Sequence, residues 1–284
     1  MREIRATIIK GGDTMLAAPA EERGPAGREG QKTMLWVVLP AVLVGTILQR
    51  ISGTGVGLVV APAFAISLGG SNGVFLTNVT TAVSGFLLTC ALWRTVNWSQ
   101  WAKLCSSALI GTVIGAVVVR VTPGSVLQLV VGSVVLLGMV VLLSGGGARQ
   151  PADPERSSAG TTTTYGAAGG LLNVTAGVAA PAMVIYSRVT GWRQTEYAAT
   201  MQPVFMTLGV TSLAAKFAMG AVEHATMPTP WLFVGVAGMV LLGLAAGTPL
   251  ARRIPASTAR TMALVLAGAG AVVAILKGLF GLLG

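Results

Sequence analysis

Gly53-Thr54-Gly55-Val56-Gly57-Leu58-Val59-Val60-Ala61-Pro62 interrupts an apolar stretch that runs from Met34 to Leu68. A second version follows later in the chain: Gly169-Gly170-Leu171-Leu172-Asn173-Val174-Thr175-Ala176-Gly177-Val178-Ala179-Ala180-Pro181. Each is a glycine-rich break, a run of small residues and a proline, a combination that weakens a helix. In lipid, a broken helix survives only where protein or a water-filled cavity surrounds the freed backbone groups. Two matched breaks in the two halves of a membrane chain point to a transport site.

Working outward, the 284 residues are 53% hydrophobic and 10% charged, against roughly 25% charged for a soluble domain. Long apolar runs with few charges between them define an all-α polytopic membrane protein. The 38 glycines suit helices that approach closely in a bilayer. The net charge of +10 comes from Lys and Arg scattered at the ends of apolar runs. That distribution serves topology and contact with the bilayer rather than nucleic acid. Cys90 and Cys105 match no metal spacing and read as small hydrophobes. His224 is the single histidine, so neither a metal nor a cofactor is expected.

Residues 1–33 are polar, with six basic and five acidic residues, and lack the apolar core of a signal peptide. They read as a disordered tail, with Met34 as an alternative start. Residues 34–144 form a first transmembrane repeat, 145–162 a polar linker with Arg149, Asp153, Glu155 and Arg156, and 163–284 a second repeat. Met34 to Leu68 is too long for one straight crossing of a roughly 30 Å core. It is either two short crossings or two half-helices in a re-entrant hairpin. Trp93, Trp98 and Trp101 sit as interfacial anchors, and Gly111 and Gly115 form a small-residue pair suited to a close helix contact.

The halves align. Pro62 matches Pro181 at an offset of 119, while Asn78 matches Gln202 and Gly85 matches Gly209 at 124. Each half thus holds one broken segment and three plain spans. The basic residues change sides between halves: Arg94 and Lys103 flank one loop, whereas the equivalent loop holds Glu223 and His224. By the positive-inside rule this predicts inverted repeats. Arg94, Lys103, Arg149, Arg156, Arg188, Arg193, Arg252 and Arg253 would face the cytoplasm and both termini the outside. Eight simple crossings would instead give parallel repeats.

With Gly53-x-Gly55-x-Gly57-x4-Pro62 and Gly170-x6-Gly177-x3-Pro181, the chain from about Val37 onward resembles the sulfite exporter TauE/SafE family (DUF81, the TSUP permeases). The resemblance implies a bacterial inner-membrane permease with two homologous halves and eight helices. It further implies a small sulfur-containing anion such as sulfite or a sulfonate as substrate. The triple glycine usual in the family is replaced here by Gly55-Val56-Gly57 and Ala176-Gly177-Val178.

The expected substrate site combines the backbone N–H groups of Thr54 to Leu58 and Thr175 to Ala179 with specific residues of both repeats. These are Gly53, Thr54, Gly55, Gly57, Asn78, Thr81, Asn173, Thr175, Gly177 and Gln202. A helix restarting inside the membrane presents N–H groups that favour an anion, and tight glycine packing is the competing reading. Asn78 and Gln202 must find partners in lipid, either a substrate or each other's helices. Thr80 would add a hydroxyl unless it bonds its own helix. Arg50 and Lys216 are candidate electrostatic attractors, or boundary residues that snorkel to an interface. No carboxylate lies inside an apolar run, and no phosphate-binding loop is present. The chain therefore reads as a secondary transporter and not an enzyme. A non-catalytic membrane subunit, or a permease for another small solute, is the alternative. Whether it forms a homo-oligomer is left open.

Overall fold

The computed structural model describes residues 25–143, 158–220 and 230–283. The polar linker after Ser144, Glu223 and His224 lie outside them. The described residues are almost wholly helical, in two series of five helices. The first series is α1 (Pro25–Ser52), α2 (Gly57–Leu68), α3 (Gly70–Leu92), α4 (Trp98–Val121) and α5 (Gly124–Leu143). The second is α6 (Ala159–Ala176), α7 (Ala180–Thr190), α8 (Gln194–Ala218), α9 (Pro230–Leu250) and α10 (Ala256–Leu283). Helix α1 reaches back into the polar tail, and α6 starts before residue 163, within the expected linker.

Among the described residues, five segments are long and apolar enough to cross a membrane: Leu35–Ser52, Gly70–Thr95, Trp98–Val121, Trp231–Leu250 and Ala256–Leu282. Large apolar side chains are exposed along them, among them Ile110, Ile114, Val234, Leu241, Val265 and Val273. Thr46, Gln49, Asn78, Thr80, Ser84, Thr200, Gln202 and Ser212 are buried. Apolar residues outside and polar ones inside is the distribution that a hydrocarbon solvent imposes.

Both broken segments are hairpins. Gly45 of α1 faces Val56 and Val60, and Val38 and Val42 share a cluster with Val56, Val60 and Phe64. Helix α2 therefore folds back along α1. In the second half, Gly169 faces Met183, and the Thr162 and Tyr186 hydroxyls lie 3.1 Å apart, so α7 folds back along α6. With 12 and 11 residues, α2 and α7 are about 18 and 16 Å long. Neither return arm spans a core of about 30 Å by itself, whereas Leu35–Ser52 of α1 is long enough to cross. Each broken segment is thus a fold-back hairpin with one short arm.

Small residues set the registers between helices. Gly85 of α3 meets Gln202 and Met206, and Gly209 of α8 meets Asn78 and Ala82, so α3 and α8 run antiparallel. Helices α5 and α10 do the same, with Gly132 against Ala271 and Gly278 against Ser125. Helix α4 runs parallel to α6, and α1 parallel to α9 through Gly243 against Thr46 and Gly247 against Arg50. Each helix of one half thus lies against the other half, and each matched pair that touches is antiparallel. Arg94, Lys103, Arg188, Arg193, Arg252 and Arg253 fall at one end of the bundle. The start of α1 and the end of α10 fall at the other.

The Gly111–Gly115 pair faces α6. A Cβ on Gly111 would land on the Ala167 carbonyl, and one on Gly170 would land on the Ala108 carbonyl. Backbone, unlike a side-chain tip, cannot swing aside. Gly111→Leu is expected to destabilise the bundle by about 3 kcal/mol, read as a lower thermal midpoint of the purified protein in detergent. Trp101 ties α4 to α8: its Nε1 donates to the Pro203 carbonyl at 3.2 Å and to Thr207 Oγ1 at 3.1 Å. Cys90 is exposed and Cys105 buried, with no disulfide.

Candidate substrate site at the hairpin tips

Gly53 and Gly177 end α1 and α6 in the same way. Their φ angles are +72° and +73°, a left-handed conformation that glycine adopts without Cβ strain. The Gly53 N–H donates to the Gln49 carbonyl at 2.9 Å, and the Gly177 N–H to the Asn173 carbonyl at 2.8 Å. Gln49 and Asn173, Gly53 and Gly177, and Asn78 and Gln202 all share an offset of 124. The prolines do not correspond: Pro62 lies inside α2, whereas Pro181 occupies the first turn of α7. The alignment of Pro62 with Pro181 at 119 is therefore replaced by a single offset through the breaks.

The two tips abut. A Cβ on Gly57 would fall on the Gly177 carbonyl oxygen, and Gly177 packs on Thr77. Beyond the breaks, α2 and α7 restart with Val56 and Ala179 as N-caps, neither of which supplies a side-chain cap. The first N–H groups of a helix lack the usual i−4 acceptor, and at the first tip some find other partners. Thr54 N–H donates to Ser52 Oγ at 3.3 Å, Leu58 N–H to the Gly55 carbonyl at 3.3 Å and Val59 N–H to the Val56 carbonyl at 3.0 Å. The donors left for an anion at that positive helix end are those of Gly55, Val56 and Gly57. In the second hairpin these donors begin after Gly177. Thr175 and Ala176 still belong to α6, and Thr175 Oγ1 donates to the Leu171 carbonyl at 2.7 Å. The N–H groups expected from Thr175 onward thus shift towards Val178 to Ala180. Thr80 likewise donates to its own helix, at the Leu76 carbonyl, 2.9 Å away.

Side-chain amides flank the tips in two matched pairs. Gln49 Nε2 donates to Gln202 Oε1 at 2.9 Å, joining α1 to α8. Asn173 Nδ2 donates to Asn78 Oδ1 at 3.0 Å, joining α6 to α3, and to Ser212 Oγ at 3.0 Å. Each pair links one half to the other. Gln49 Oε1, Asn78 Nδ2 and Thr81 Oγ1 are buried without a hydrogen-bond partner. Thr54 Oγ1 lies 2.6 Å from Ser52 Oγ, which donates to the Leu48 carbonyl. Gln49 was absent from the residues read from sequence. The offset that relates Asn78 to Gln202, carried back from Asn173, finds it.

Between the tips is a cavity of about 10 Å³ lined by Gly55, Gly57, Thr81, Asn173, Gly177, Ala179 and Phe205. That is room for about one water molecule, too little for an anion with three oxygens. On the basic side of the tips a cleft of about 390 Å³ opens, lined by Gln49, Arg50, Gly53, Thr95, Gln194 and Gln202. Arg50 Nε makes a long bond, 3.4 Å, to Thr248 Oγ1, leaving its guanidinium in the cleft wall. Lys216 is elsewhere, near the end of α8, and is 1% exposed. It does not snorkel. A groove of about 460 Å³ beside Lys103 and Thr162 contains none of the expected site residues.

The described residues include no group of three or more His, Cys, Asp or Glu able to hold a metal. A family model, sulfite exporter TauE/SafE, matches residues 37–276. The chain belongs to the sulfite exporter TauE/SafE family. Membership makes it a multi-pass membrane transport protein of a family that handles sulfur anions. No curated protein and no solved structure matches the chain.

Proposed function

We propose that this TauE/SafE member is a secondary permease for a small sulfur oxyanion, sulfite or an organosulfonate, in the bacterial inner membrane. The observation that carries the reading is the meeting of two uncapped hairpin tips at the centre of the bundle. Backbone N–H groups from two positive helix ends, with amide and hydroxyl groups around them, suit a small anion and need no counter-cation. The antiparallel pairing of α3 with α8 and of α5 with α10 supports inverted repeats. The basic end, where the cleft opens, is then the cytoplasmic face. With the central cavity too small for the anion, the tips separate for it to pass, and one half rocks against the other around them.

The test is flux of sulfite and several sulfonates into proteoliposomes containing the purified chain. Saturable uptake of at least one of them, absent from protein-free vesicles, is expected. No uptake of any sulfur oxyanion would remove the functional reading and leave the architecture standing.

A further inference from the structure

We propose that Lys216 forms a second anion subsite on the closed side of the tips, the counterpart of the cleft that is open at the basic end. The idea rests on the permease reading for its place in a cycle, but its geometry stands separately. Lys216 is 1% exposed and its Nζ has no hydrogen-bond partner. A lysine amine buried without a partner is costly to charge, and a bound anion would supply both the missing counter-charge and the missing hydrogen-bond acceptor. The end of its own helix does not: none of the last carbonyls of α8 accepts a bond from Nζ. No salt bridge to Lys216 is formed among the described residues.

Its position says what it serves. Phe205, Ser212 and Lys216 recur on one side of α8 at helical spacing. Phe205 lines the central cavity, and Ser212 accepts a hydrogen bond from Asn173, the residue one turn before the Gly177 break. A line of side chains thus leads from the tips along α8 to the ammonium. The offset of 124 that relates the amide pairs also relates Lys216 to Leu92 and Ser212 to Leu88. Both leucines line the open cleft. Lys216 and Ser212 therefore occupy, in the other half, the places of residues that border a passage. In the structure that second passage is closed, with Asn173 bonded to both Asn78 and Ser212. When it opens, the anion leaving the tips meets Lys216 with Ser212 and Asn78 beside it. Arg50, which is not the repeat counterpart of Lys216, lines the open cleft, so a basic side chain stands on either side of the tips.

The test uses the full chain purified in detergent, with thermal unfolding followed over a range of sulfite and methanesulfonate concentrations, and sulfite flux in proteoliposomes. Lys216→Met and Lys216→Arg are compared with the unaltered protein. The anion is expected to raise the melting temperature of the unaltered protein and of Lys216→Arg by more than that of Lys216→Met, in which the tips alone remain to bind it. Without anion, Lys216→Met is expected to melt higher, because it removes a buried amine that has no hydrogen-bond partner. Its flux is expected to fall by roughly 30-fold or more, and Lys216→Arg to recover a measurable part. A Lys216→Met protein that melts lower or does not fold makes Lys216 structural and overturns the proposal. Anion stabilisation unaltered by that substitution overturns it equally. Stabilisation that depends on Lys216 in a protein showing no flux supports the subsite and counts against the permease reading instead.

Discussion

Gly57→Val is expected to abolish transport while leaving an inserted, folded protein. The reasoning starts from one contact. A Cβ at Gly57 would lie on the carbonyl oxygen of Gly177, so any side chain there drives the two hairpin tips apart. Val also carries branched methyl groups towards Thr77, whose Cγ2 already lies 3.6 Å from the position of that Cβ. The bundle itself is held by α4 on α6, α1 on α9, α3 on α8 and α5 on α10, none of which Gly57 joins. The fold should therefore survive the strain, at a cost of about 1 to 3 kcal/mol. The site should not survive it. Bare N–H donors act on an anion only when both tips hold their geometry, and a displacement of about 1 Å can cost about 100-fold in a positioned site. Flux is expected to fall about 100-fold or more with the size-exclusion profile unchanged. Full flux from a monodisperse Gly57→Val protein would move the site away from the tips.

Why the tips could be found from sequence, and the amide pairs only in half, has a physical explanation. A glycine-rich break inside an apolar run is a local signal, because backbone freed from helical bonding must be accommodated whatever surrounds it. Gly53 and Gly177 ended their helices where the pattern placed them. The re-entrant hairpin was one of two readings, since composition does not say whether a broken segment turns back. The fold-back depends on Val38, Val42 and Gly45 meeting Val56 and Val60, contacts that only the third dimension supplies. Asn78 and Gln202 were legible as amides in lipid, but their partners were not, because each partner lies in the opposite half. Proline misled the alignment. Pro62 is tolerated within α2 and Pro181 in the first turn of α7, so similar residues mark different places. The burial of Lys216 was illegible for a related reason: a lysine near a helix end has the stem to reach an interface, and only its surroundings in the bundle prevent it.

The matched amide pairs allow a separation of structural from functional roles that neither single substitution can give. Gln49 and Gln202 bond to each other at 2.9 Å, while Gln202 Nε2 also donates to the Ala198 carbonyl at 2.8 Å. Gln202→Leu alone leaves Gln49 buried with both polar atoms unmet, at a cost of about 1 to 3 kcal/mol, and Gln49→Leu strands Gln202 Oε1 in the same way. Replacing both amides by leucine removes the orphan together with its partner, and apolar pairs of similar size can be nearly neutral. Stability is thus expected to fall in each single variant and to return towards the starting value in Gln49→Leu/Gln202→Leu. Flux should behave differently. Gln49 Oε1 is already without a partner and Gln49 lines the open cleft. If the pair only joins α1 to α8, the double variant should transport as well as it folds. If the amides face the anion on its way to the tips, flux stays about tenfold or more below normal after stability has recovered. We expect the second outcome, read by thermal midpoint and sulfite flux on the same preparations. Recovery of flux in step with stability would confine Gln49 and Gln202 to holding the two halves together.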